Sequence, residues 1–201
     1  ADAMRALSNK YPDDDDAASL FAESLMNTMP WNYWIDADNP KPLTIEAINK
    51  LEEVLARNPA HPMAIHLYIH AVESSSKPER AEAAADILLD LVPGAGHLVH
   101  MPSHIYWRVG RYADASKSNE MAAAVDEAYI AACNAQGFYP AAYYPHNIHF
   151  LWASSSMEGR SKVAIEAGEK VADNVRIEMI DQFPGLEFFK TIPMQSLVQF
   201  V

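Results

Sequence analysis

Residues 47–96 read AINKLEEVLARNPAHPMAIHLYIHAVESSSKPERAEAAADILLDLVPGAG, and this stretch decides the fold. A proline closes an apolar helix end at Pro59 (LARNP) and again at Pro93 (LDLVP), 34 residues later. Small residues keep the same period at Ala47, Ala81 and Ala115. So do Val54, Leu88 and Ala122, and Leu55, Leu89 and Ala123. Between the prolines, apolar residues fall three and four apart, as at Ile45, Leu51, Val54 and Leu55, which is helical periodicity. No stretch alternates convincingly like a strand. Seven glycines are few, and most mark turns. The expected class is all-α.

Outward from that stretch, Gly110-Arg-Tyr112-Ala-Asp-Ala115 carries a turn glycine, an aromatic two later and a small residue five later. Gly159-Arg-Ser-Lys-Val-Ala164 repeats the pattern without the aromatic. With these residues the chain resembles the tetratricopeptide repeat (TPR) family, whose unit is a 34-residue pair of antiparallel helices, A then B. The resemblance implies a right-handed α-solenoid of helix hairpins. With the closing proline as position 32, helix A begins at Asp15, Pro62, Gly96 and Pro145. The repeats then span about 15–59, 62–95, 96–127 and 145–176, all within one solenoid over 1–201. Insertions at about 29–42 and 128–144 interrupt the period, and 177–201 forms an irregular helical segment. Residues 1–11 read as the end of a preceding helix B. The uncapped ends suggest a piece of a longer chain.

A formal charge of −12 over 201 residues argues against nucleic-acid or anionic-membrane binding, both of which need a basic face. No apolar run approaches a membrane span. The single cysteine, Cys133, excludes an internal disulfide and has no basic neighbour to make it a nucleophile.

All eight histidines lie between His61 and His149. On the repeat frame, His66 and His70 take positions 5 and 9. His97, His100 and His104 take positions 2, 5 and 9, and His146 and His149 take positions 2 and 5. Only His61 lies outside. At about 100° per residue, positions 2, 5 and 9 share a ~60° wedge of one helix face. In TPR-like folds that face lines the concave groove, so the resemblance implies that seven imidazoles converge there. Helices packed roughly 8–10 Å apart would let rings from neighbours meet at one ion.

Neutral imidazole suits copper, zinc, iron or nickel, and the sequence does not choose among them. His66-x3-His70 lacks the adjacent glutamate of HExxH, so zinc-protease chemistry is not indicated. Two groups of about three histidines would suit two ions. One site of three or four histidines plus Glu73 would suit one, with Glu73 as ligand or general base. Glu23 (position 9), Trp107 (position 12) and Arg108 (position 13) are expected to face or flank the groove. Tyr143 and Tyr144, just before Pro145, either line its mouth or plug the seam between repeats. Tyr68 and Tyr106 read as packing residues, and Asp13–Asp16 as helix-capping.

Two other readings stay open. One is a non-catalytic scaffold holding a peptide, protein or small-molecule partner in the same groove. The lysine, arginine and asparagine of a TPR carboxylate clamp are mostly histidine here. The other is a pH-sensitive binding module, since grouped imidazoles titrate near neutrality.

Overall fold

The computed structural model describes residues 1–200, and these are predominantly helical. The chain divides into two compact units, Ala1–Val92 and Pro93–Val201. The first contains α1 (Asp2–Lys10), α2 (Asp15–Met26), α3 (Pro42–Arg57), α4 (Pro62–Val72) and α5 (Glu82–Leu91). The second contains α6 (Gly96–His100), α7 (Pro102–Arg108), α8 (Tyr112–Cys133), α9 (Tyr144–Met157), α10 (Ser161–Asn174), α11 (Ile177–Gln182) and α12 (Glu187–Phe200). No described helix is long and apolar enough to cross a membrane.

The helical class and the expected helix starts at Asp15, Pro62 and Gly96 follow the sequence. Asp14 caps α2, its carboxylate accepting the Ala17 amide at 2.9 Å, which satisfies one orphan donor of the first turn. His61 caps α4 in the same way, its Nδ1 accepting the Ala64 amide at 3.2 Å, with Pro62 at the first helical position. The three alanines of the 34-residue period, Ala47, Ala81 and Ala115, are all fully buried. So are Val54, Leu88 and Ala122. In the first unit α2, α3 and α4 pack together, burying Phe21, Leu25, Ile48, Leu51, Ile65 and Ile69.

In the second unit α8 lies against α6, α7 and α9, and α10 packs on α9 and α12. Its apolar cluster joins Ala123, Tyr144, Ile148, Ala167, Val171 and Ile192. Gly168 permits the α10–α12 approach, because a Cβ there would come 2.6 Å from Ser196 Oγ.

Four features depart from the sequence expectation. The insertion at 29–42 contains an antiparallel hairpin, β1 (Trp34–Asp36) paired with β2 (Asn39–Pro40). The Asp36 carboxylate turns it, accepting the Asp38 and Asn39 amides. The Trp34 indole anchors it, donating to the Ala71 carbonyl at 2.8 Å. The helix expected from Gly96 onward is two pieces, α6 and α7, because Pro102 lacks the N–H that would continue the ladder. Residues 128–133, expected in an insertion, instead complete α8, which ends on Asn134 in the left-handed region (φ 46°). Finally, α9 starts at Tyr144 rather than Pro145, entered through a π-helical turn at Tyr139–Tyr143.

The packing makes a direct stability prediction. Leu51→Ala removes a fully buried side chain and should cost about 2–5 kcal/mol. Ile45→Ala on the same helix, 46 % exposed, should change stability by under about 0.5 kcal/mol. Urea unfolding of the two variants checks the contrast, and equal losses would contradict the assigned face of α3.

Candidate metal centre

In the second unit α6, α7 and α9 bring His100, His104 and His146 together. One ring nitrogen from each lies within 4.8 Å of the others. His100 sits at the end of α6, fully buried, and His104 on α7 is 7 % exposed. Ring centroids are 4.8 Å apart for His100–His104, 4.8 Å for His100–His146 and 5.6 Å for His104–His146. Phe150, one turn beyond His146 on α9, packs 4.5–4.9 Å from all three imidazoles and gives the cluster an apolar wall.

The hydrogen bonds fix which nitrogen of His100 offers its lone pair. Asn119 on α8 donates through Nδ2 to the Ala115 carbonyl at 2.7 Å. That contact turns Asn119 Oδ1 toward His100 Nδ1, 2.6 Å away. An amide oxygen only accepts, so Nδ1 carries the proton and Nε2 the lone pair. His104 Nε2 lies 2.9 Å from that lone pair and donates to it. Burial first, then the neighbouring His146 and His104 charges, hold the His100 imidazole well below the usual histidine range. It is therefore a neutral base whose Nε2 lone pair faces His104, with the His146 ring packed beside it.

The donor set fits a transition metal. At metal–nitrogen distances of about 2.0–2.1 Å, tetrahedral ligand nitrogens stand about 3.4 Å apart. The His100–His104 pair needs to open by roughly half an ångström, with the His104 proton moving to its other nitrogen. The outer N–H of His100 already has its acceptor in Asn119, the arrangement that orients metal-binding histidines.

The remaining expected residues distribute as follows. His97 lies beside this group, its ring 5.9 Å from His100 and 5.0 Å from Tyr143. His149 points elsewhere: its ring stacks on Trp152 at 5.4 Å, with Phe188 and Phe189 of α12 at the same separation. Tyr144 plugs the seam: it is buried in the apolar cluster and donates to Glu127 at 2.8 Å. Tyr143 is 37 % exposed, between His97 and Phe138. Trp107 is likewise 37 % exposed, its ring 6.3 Å from Tyr112, and Arg108 is exposed at the end of α7. Cys133 is exposed.

In the first unit His66 and His70 stand edge to face at 5.0 Å on α4. Glu73 at the end of that helix bonds His70 Nδ1 at 3.0 Å, a contact that orients the ring. Glu23 is half-buried on α2. Tyr68 and Tyr106 are buried packing residues.

Four residues that shape the second-unit cluster escape the repeat frame: Asn119, Asp126, Asn147 and Phe150. The available signal is the seven-residue spacing of Asn119 and Asp126, which sets both on one face of α8. No family model, no curated protein and no solved structure matches the chain.

Two predictions follow from the ring environments. Asn119→Leu removes the closer acceptor of the buried His100 N–H, leaving only the Ser103 hydroxyl 3.3 Å away, and should cost about 1–3 kcal/mol in chemical denaturation. No loss would contradict the tautomer assignment. Desolvation lowers His149 to about 4, below its unfolded value near 6.5. The folded state therefore binds fewer protons between those values. His149 contributes stability above pH 6.5 that is lost as the pH falls toward 4, on the order of 3 kcal/mol. Denaturation of wild type and His149→Phe across pH 4–7 should show a flatter profile for the variant; parallel profiles would contradict it.

Proposed function

We propose that the chain binds a transition-metal ion through His100, His104 and His146, on a TPR-like array of helix hairpins. The right-handed stacking of such arrays is part of that reading. The observation that carries it is the convergence of three imidazole nitrogens within 4.8 Å, one with its outer N–H already held by Asn119. Three neutral nitrogen donors suit copper, zinc, iron or nickel better than magnesium or calcium, which take oxygen. A three-histidine set leaves a coordination position for water or a small ligand, the arrangement of catalytic rather than closed structural sites. The ion would supply Lewis acidity or a bound hydroxide at neutral pH. The protein's own contribution is to keep His100 neutral, fix its tautomer and exclude water with Phe150.

The hairpin order supports the TPR-like part of the reading: α2 with α3, α4 with α5, the α6–α7 pair with α8, and α9 with α10 each pack as neighbours. A groove-binding scaffold is the competing use of such hairpins. The inward, buried placement of His100 and His104 favours an ion over a peptide, because a peptide needs accessible side chains.

Elemental analysis of protein purified without a nickel column provides the test. Wild type should carry bound metal, and the His100→Ala/His104→Ala double variant should lose about one ion per chain, with affinity reduced by more than the ~10–100-fold of an outer-shell change. Sub-stoichiometric metal, unchanged in the double variant, would overturn the proposal.

A further inference from the structure

Besides Asn119, α8 carries a buried carboxylate that the metal-binding set does not use. Asp126 is 1 % exposed. Its Oδ1 accepts the Tyr139 hydroxyl at 2.7 Å and its Oδ2 accepts Asn147 Nδ2 at 2.7 Å. Tyr139 opens the π-helical turn that leads into α9, and Asn147 follows His146 directly. The His97 backbone amide also bears on the Tyr139 hydroxyl. On the α6 side Gly96 sits against the carboxylate: a Cβ there would come 1.9 Å from Asp126 Oδ1 and 2.5 Å from Cγ. Gly96 has no positive φ to require glycine, so the reason for glycine is the room that Asp126 occupies.

A buried carboxylate is costly unless its lone pairs are satisfied, and this one is tied to the segments that flank two imidazole-bearing helices. Asn119 and Asp126 lie two turns apart on one face of α8. The first holds His100 directly, and the second holds the residue next to His146. We propose that Asp126 is the positioning residue of the centre, fixing α9 against α6 so that His146 meets His100 and His104. It touches no ligand atom and acts through Asn147, Tyr139 and Gly96. The inference rests on the metal-centre reading for its consequence, but its geometric part can be measured without metal.

The test uses the full chain and Co2+ as the probe, with Asp126→Asn and Gly96→Ala as paired variants. The first removes the charge; the second keeps it but drives a methyl group into the space the carboxylate fills. Ser116→Ala, a buried substitution on the same helix whose hydroxyl bonds Ser154 at 3.0 Å, is the control. Both test variants should bind Co2+ about 10–100-fold more weakly than wild type. The intense visible bands of a four-coordinate ion should give way to the weak bands of five or six ligands as His146 drops out. Ser116→Ala should stay within about twofold of wild type, well inside that outer-shell range. In the metal-free protein, histidine-selective nitrogen NMR should show His146 shifted in Asp126→Asn and His61 unmoved. If Asp126→Asn fails to fold, Tyr139→Phe removes one donor while leaving the carboxylate, and should move the same signals in the same direction.

Unshifted His146 resonances, Co2+ spectra identical to wild type, or an equal loss in Ser116→Ala would each overturn the positioning role. Wild type that takes up no Co2+ while His146 still shifts would count against the metal reading alone.

Discussion

The second unit is organised around one hydrogen bond, between the buried His100 Nδ1 and Asn119 Oδ1 at 2.6 Å. A fully buried imidazole without an acceptor for its N–H would cost about 1–3 kcal/mol. Asn119 meets that need only because the Ala115 carbonyl fixes its own orientation. The result is a chain of determined choices: backbone carbonyl to asparagine, asparagine to histidine tautomer, tautomer to a lone pair on Nε2. His104 meets that lone pair, the His146 ring packs edge to face on His100, and Phe150 closes one side. Polar groups buried in such a sequence are rigid because each leaves its neighbour a single satisfied arrangement.

The scaffold reads easily from the amino-acid order because its determinants are local and periodic. Pro59 and Pro93 follow helix ends, Asp14 and His61 start helices, and the alanines on the 34-residue period are fully buried. The exceptions are equally physical. Pro102 splits the helix that carries His100 and His104, since its ring nitrogen cannot donate. The Trp34 hairpin is held by a single long-range indole–carbonyl contact, 37 residues apart in sequence. Spacing alone cannot announce such a contact.

The histidine cluster is legible in outline. Histidine at positions 5 and 9 of one repeat and position 2 of the next does meet, as His100, His104 and His146 show. His149 breaks the pattern because α12, outside the repeat frame, brings Phe188 and Phe189 onto its ring. Asn119 and Asp126 lie outside the repeat frame for a different reason. On an alanine-rich helix a polar residue reads as solvent-facing, and only the tertiary structure shows α8 turning that polar stripe inward. Glu73, expected as base or ligand, has a ring-orienting contact to His70, a role that helical i, i+3 spacing permits but does not dictate.

The most direct measurement of the central claim is an anomalous difference map at the metal edge from crystals of the chain grown with a divalent transition metal. One strong peak is expected within bonding distance of His100 Nε2 and of a ring nitrogen on each of His104 and His146, with Asn119 still on His100 Nδ1. Density confined to surface residues, with the three imidazoles still hydrogen-bonded to one another, would contradict it.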